Sequence, residues 1–234
     1  MMEAPSLAQV GFRSLNSRNN SRKEMSEAFD PINPATPHLP SKDGEPAWEA
    51  AYFFPEQGRW SEETFLQFHT NRMAELVDGR LEILPMPTLK HQRMLTMLFD
   101  LLRAMPEART GVVAFAPIPT HLFPGTIREP DLLYIAPENA PDDEVDYPDH
   151  LDLAMEIVSK GPEAHKRDYE DKVRDYAKAG VSEYWIVDPQ EEKITVLVLQ
   201  GNTYVQHGVY QPGDTASGQL LPGLTVDVQS LMNA

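Results

Sequence analysis

The sequence predicts an α/β (α+β) fold, a mixed β-sheet flanked by helices, and three observations carry that expectation. First, "LDLAMEIV", "KRDYEDKVRDYAKAG" and "EYWIVD" follow one another between residues 151 and 188 as strand, helix and strand. Such a unit requires parallel neighbouring strands joined by a right-handed crossover. Second, "AELVDGRLEILP" has two apolar runs around Asp78-Gly79, the chemistry of a tight hairpin. Third, "LKHQRMLTMLFDLLRAM" places Met94, Leu95, Leu98, Leu101, Leu102 and Met105 at helical spacing, so a long amphipathic helix is available to cover a sheet.

In chain order, residues 1–46 are rich in Ser, Asn and Pro with little apolar periodicity. They cannot bury enough surface to offset ordering, so a disordered or loosely attached extension is expected, with the domain at 47–234. "WSEETFLQFHT" predicts a short helix, with Ser61 as N-cap and acids in its first turn. The hairpin and the long helix from Thr88 come next. "GVVAFAPIPTHLF" and "DLLYIA" are strand-like. "LDLAMEIV" alternates, with Leu151, Leu153, Met155 and Ile157 on one face and Asp152, Ala154, Glu156 and Val158 on the other. The helix after it carries Tyr169, Val173, Tyr176 and Ala177 as an apolar stripe and ends at Gly180, a natural C-terminal cap. "EYWIVD" is a buried strand, "KITVLVLQGNTYVQHGVY" a hairpin-like pair, and "LPGLTVDVQSLM" a C-terminal element.

Composition narrows the functional classes. No run approaches the roughly 20 apolar residues of a membrane span, and the N-terminus has no secretory h-region, so a cytoplasmic protein without membrane partners is expected. With no cysteine, a thiolate metal site and a cysteine nucleophile are excluded, leaving oxygen and imidazole ligands. A net charge of -16 argues against gripping nucleic acid over the whole surface. The charge is uneven, however. Residues 138–152 hold seven acids and no Lys or Arg, whereas residues 160–178 hold six Lys or Arg against five acids. The acidic stretch lacks the spacing of a calcium loop, "GPEAHK" lacks the ending of a phosphate loop, and no G-x-S-x-G elbow is present.

The chemistry concentrates on Glu156, a carboxylate inside an otherwise apolar strand. Uncompensated burial there costs several kcal/mol, so it needs a cation, a hydrogen-bond donor or a proton. Asp131 begins a neighbouring strand, and Lys172 stands in the helix that follows. Two carboxylates from adjacent strands offer the oxygen ligands that Mg²⁺ or Mn²⁺ prefers, and the backbone carbonyl of Ile157 could supply another. A lysine beside them could orient water or neutralise charge developing on a phosphate. On an ideal helix Lys172 lies about 60° from Tyr169, at the border of the buried stripe. The plainer alternatives are an edge-strand ion pair for Glu156, a turn residue for Asp131, and an i,i+4 pair of Lys172 with Asp168.

"PDLLYIAPENA" and "LDLAMEIVSKGPEAHKRDYEDKVRDYAKAGVSEYWIVDP", with "AELVDGRLEI" and "HQRM" upstream and "LLPGLTVDV" at the end, resemble the Uma-type restriction endonuclease family of the PD-(D/E)XK nuclease superfamily. The resemblance runs from about Trp60 to the C-terminus. It implies a restriction-endonuclease-like fold, Mg²⁺ or Mn²⁺ as cofactor, DNA as substrate, and hydrolysis of phosphodiester bonds. Under it Pro130-Asp131 is the "PD" and Glu156 the second acid. Val158 stands where the parent pattern has lysine, and the resemblance implies that Lys172 supplies it from the helix. Glu75 matches an acid such nucleases draw from N-terminal elements, and His91 a recurrent histidine. A homodimer fits an enzyme that cuts both strands of a duplex. The rival expectation is a non-enzymatic protein of the same fold, acting as a regulatory or protein-binding module through its acidic surface.

Overall fold

The computed structural model describes residues 54–68, 72–142, 145 and 147–234. The expected extension at 1–46 lies outside the described residues. Residues Glu56–Ala234 form a compact unit, with twelve strands among the described residues.

Helix α1 (Glu62–Leu66) begins as expected at Ser61, whose hydroxyl accepts from the Thr64 N–H. Strands β1 (Ala74–Val77) and β2 (Arg80–Ile83) pair antiparallel around Asp78 and Gly79. Both turn residues have positive φ, 47° and 71°, the requirement of the tight turn that matches strand twist. Helix α2 (Leu89–Arg103) starts at Thr88, whose hydroxyl accepts from the His91 N–H, and buries Met94, Leu95, Leu98 and Leu102. Strands β3 (Val112–Phe115), β4 (Thr120–Phe123), β5 (Thr126–Arg128), β6 (Leu132–Ile135) and β7 (Leu153–Ile157) follow. After β7 the chain is helical through α3 (Pro162–Lys166), a π-helical turn at Arg167–Asp171, and α4 (Lys172–Ala179), closing on Gly180 at φ 83°. Strands β8 (Glu183–Asp188), β9 (Lys193–Gln200), β10 (Thr203–Tyr210), β11 (Thr215–Ser217) and β12 (Thr225–Asp227) lead to α5 (Val228–Met232).

The strands do not form a single sheet. A six-stranded sheet has the order β10-β9-β8-β7-β6-β3, and a four-stranded sheet the order β2-β1-β5-β4. In the large sheet β7 and β8 are parallel, as the strand–helix–strand unit requires, and its other neighbours are antiparallel. The alternation of β7 divides its side chains between two layers. Leu153, Met155 and Ile157 join α2 and α5 in one apolar cluster, while Ala154 and Val158 join Tyr176 and Tyr184 beneath α4 in another. Both faces of β7 are therefore buried, and Glu156 lies on the α4 side. The C-terminal element is part of the core, because Val226, Val228, Leu231 and Met232 pack in the first cluster.

The chain leaves the small sheet at Arg128 and enters the large one at Leu132. The intervening "EPD" thus stands where the two sheets meet.

Candidate active site

Asp131 precedes β6 by one residue, and β6 pairs with β7 so that Leu132 faces Met155. Continuing that antiparallel register by one residue sets Asp131 against Glu156. Asp131 Oδ2 accepts from the Ile157 N–H at 2.8 Å and contacts His91 Nε2 at 3.1 Å. Thr88 capping holds the first turn of α2 in the place from which His91 makes that contact.

Glu156 is 3% exposed, and its Oε1 accepts from Lys172 Nζ and from the Tyr176 hydroxyl, each at 2.7 Å. Lys172 is 1% exposed rather than bordering solvent. The reason is that the buried line of this helical stretch runs through Ala164, Asp168, Lys172, Asp175 and Tyr176, with Tyr169 only half-buried at its border, so a projection centred on Tyr169 places Lys172 wrongly. The π-helical turn is itself anchored, since the Tyr184 hydroxyl donates to the Asp168 carbonyl at 2.9 Å. Lys172 Nζ also lies 3.0 Å from Glu75 Oε1. Glu75 thereby reaches the site from β1, at one remove.

A second layer supports these groups. Arg128 is 1% exposed and donates to Glu75 Oε2 at 2.8 Å, to Glu82 Oε2 at 3.3 Å and to Asp175 Oδ2 at 2.6 Å. The Glu129 N–H donates to Glu75 Oε1 at 3.0 Å. Arg167 grips Asp168 through Nε at 3.0 Å and Nη2 at 3.4 Å. Sequence reasoning did not find Arg128, Glu129, Arg167, Asp175 or Tyr176. The signal available was the spacing of Asp168, Lys172, Asp175 and Tyr176, which puts charges on the same side of the helix as a buried tyrosine.

Electrostatics follow from this crowding. Burial alone would raise Glu75, but Lys172, Arg128 and the Glu129 N–H hold its carboxyl down at about 2. Burial, then the charge of Glu75, pushes Glu129 up to about 7. For Glu156, burial and the carboxylates of Asp131, Asp168 and Glu75 push upward against the pull of Lys172. Burial would depress His91, but its contact with Asp131 raises it. The Glu75 depression has a checkable consequence. A folded-state pKa below the unfolded value stabilises the protein above the unfolded value, and that contribution is lost as pH falls from about 4.5 to about 2. It amounts to on the order of 3 kcal/mol. Denaturant unfolding across that window should show a shallower acid loss for Glu75→Gln than for the wild type; parallel curves would refute the coupling.

Asp131, Glu156, Lys172, Glu129, Arg167, His91, Ile157 and Ser159 border a cavity of about 20 Å³, room for one water or one small ion. Asp131 Oδ1 and Glu156 Oε2 make no hydrogen bond among the described residues. Each acid is thus fixed by one oxygen and free at the other. Ile157 contributes its N–H to Asp131, while its carbonyl remains the oxygen named in the sequence reading. Elsewhere, ligand atoms of His165, Asp188 and Glu191 lie within 4.8 Å of one another. There Lys193 already pairs with Glu191, and Asp188 accepts from the Gln190 and Glu191 N–H groups and the Tyr169 hydroxyl. The cation of that cluster is a lysine.

Comparison with known proteins agrees with this architecture. The Uma2 family model, described as "Putative restriction endonuclease", matches residues 61–229. No curated protein matches. A solved structure of a "putative nuclease" from Anabaena variabilis is similar at a TM-score of 0.62 and 17% identity, over 74% of this chain and 97% of that one. At that identity the likeness concerns the fold. No helix among the described residues is long and apolar enough to cross a membrane.

Proposed function

The chain belongs to the Uma2 family, and from that premise we propose that it is a divalent-metal-dependent endonuclease hydrolysing phosphodiester bonds of DNA. The observation that carries the reading is the pair Asp131 and Glu156, each locked through one oxygen and free at the other beside a cavity of ion size. The residues fit a cation. Glu75, Glu129, Asp131, Glu156 and Asp168 outnumber Lys172, Arg167 and Arg128, and burial first, then the carboxylates of Asp131, Asp168 and Glu75, push Glu156 upward against Lys172. Oxygen ligands without sulfur suit Mg²⁺ or Mn²⁺, which are held by one or two carboxylates and keep several waters.

Asp131 and Glu156 would hold the ion, with the Ile157 carbonyl as a further oxygen. When bound, such an ion polarises a phosphate oxygen and lowers the pKa of a coordinated water. This chain's residues set the stage for that chemistry. His91 and the Ile157 N–H fix the Asp131 carboxylate, and Lys172 and Tyr176 fix that of Glu156. The Lys172 ammonium, shared between Glu156 and Glu75, keeps the pocket from accumulating unbalanced negative charge as a phosphate approaches. A homodimer, bringing two such pockets to the two strands of a duplex, belongs to the same proposal and is checked by light scattering.

Titration calorimetry of Mn²⁺ and plasmid cleavage test the reading together. The wild type should bind the ion and nick DNA. Glu156→Gln and Asp131→Asn should each lose affinity tenfold or more and lose cleavage, with about a hundredfold or greater fall in rate. Equal Mn²⁺ affinity in wild type and Glu156→Gln would remove the site. Ion binding without cleavage of any nucleic acid would favour a regulatory module on the same fold, which the charge of -16 already suits.

A further inference from the structure

Two strong cations border the cavity, and their surroundings give them different work. Lys172 is 1% exposed and committed to Glu156 and Glu75 at 2.7 and 3.0 Å. Its charge is spent on carboxylates. Arg167, the first residue of the π-helical turn, keeps 16% of its side chain exposed. Its guanidinium uses Nε and Nη2 on Asp168, and Nη1 makes no hydrogen bond among the described residues. The fork of Asp168 fixes the plane of the group while leaving one donor edge available. Ser159, which borders the same cavity, also makes no side-chain hydrogen bond among the described residues.

Size decides where a substrate anion can go. About 20 Å³ admits a water or a bare ion, not a phosphodiester group with its four oxygens. The phosphate must therefore stay at the mouth. Charge decides what receives it there. The cavity wall carries Glu129, Asp131 and Glu156, and the whole chain carries -16, so beyond the ion that the two acids would hold, a side-chain cation reaching solvent at the mouth favours the approach of a phosphate. Among the strong cations of the wall, Arg167 reaches solvent and Lys172 does not.

We propose that Arg167, assisted by the Ser159 hydroxyl, is the phosphate-receiving rim of the pocket, and that Lys172 is not. The proposal rests on the nuclease reading above, in that the phosphate belongs to the bond to be cut. Arg167 touches substrate through Nη1 and is held for that contact by Asp168.

The test uses the full chain and two probes, a labelled DNA duplex followed by fluorescence anisotropy in Ca²⁺ and thymidine 3′,5′-bisphosphate followed by calorimetry. Arg167→Gln should weaken both about tenfold and reduce the slope of log Kd against log salt by about 1, without lowering Mn²⁺ affinity. Arg167→Lys retains a charge beside Asp168 and guards against a misfolded glutamine variant. It should restore the salt slope yet still bind the bisphosphate about threefold more weakly, because a lysine cannot serve Asp168 and a phosphate with separate edges. Wild-type cleavage together with unchanged binding and slope in both variants would overturn the rim and leave the nuclease reading intact. A wild type that cuts no DNA, but whose bisphosphate affinity falls on Arg167→Gln, would uphold the rim and overturn the reading. A wild type that binds neither probe would overturn both.

Discussion

Lys172→Ala is expected to destabilise the protein by about 3 to 5 kcal/mol and to reduce DNA cleavage at least tenfold in the fraction that remains folded. The first effect follows from burial. Removing the ammonium leaves Glu156 and Glu75 facing each other's field inside the protein, with Glu75 stripped of the partner that does most to keep it ionised. The second follows from position, because Glu156 Oε1 loses one of its two donors and the carboxylate is free to turn. The two effects separate experimentally. Denaturant midpoints give the folded fraction, and rates normalised to it give the chemistry. A Lys172→Met, Glu75→Gln double variant should recover part of the stability, since it removes a charge on each side of the pair, while cleavage stays low. A melting temperature for Lys172→Ala within about 2 °C of the wild type would mean that the lysine is not enclosed between two carboxylates, because even 1 kcal/mol moves a domain of this size by roughly 2 to 4 °C.

Arg128→Ala should be at least as damaging to stability and should abolish the site indirectly. Arg128 is buried and binds Glu75, Glu82 and Asp175, which come from β1, β2 and α4, so its loss removes the guanidinium that ties the small sheet to α4. Glu75 is then left to Lys172 and the Glu129 N–H, and Asp175 to exposed Arg174. Breaking a buried ion pair costs about 3 to 5 kcal/mol, close to the whole stability of many domains. The expected result is poor soluble yield or a collapsed unfolding midpoint. Arg128→Lys should recover little, because one ammonium cannot meet the Glu75 and Asp175 oxygens that the guanidinium reaches at 2.8 and 2.6 Å through separate nitrogens. A well-folded Arg128→Ala with normal Mn²⁺ affinity would show that the small sheet does not support the pocket.

Much of the fold was legible because its signals are local. Asp78-Gly79 dictates a turn, Thr88 and the Met94-to-Leu102 periodicity dictate α2, and the strand–helix–strand order dictates parallel β7 and β8. The division into two sheets was not legible, since β5 has three residues and its choice of β1 and β4 as neighbours depends on contacts far along the chain. In the site, Glu156 stood out because it breaks the pattern of its strand, and Asp131 because it shares a strand end with it. The structure brings His91 and Lys172 directly to them, and Glu75 through Lys172. Lys172 was misplaced in depth for a definite reason: the apolar residues Tyr169 and Val173 mark only the border of the buried face, whose centre is the line of Asp168, Lys172, Asp175 and Tyr176. Arg128 and Asp175 read as solvated charges because nothing local distinguishes an arginine that will meet three acids from one that will meet water.

The meeting of the two sheets at Glu129–Pro130–Asp131 bears on when the pocket comes into existence during synthesis. Glu75 is made early and Lys172 late, and β6, which Asp131 precedes, is joined to β7, which carries Glu156, by a long excursion of the chain. Contacts so distant in sequence close last, after the loops between them have been ordered. A ribosome-bound chain that has not yet emerged past α4 therefore lacks the lysine that draws the acids together. It carries carboxylates without the assembled pocket. The topology thus withholds competence until the chain has passed α4, so that products truncated before Lys172 should be inert.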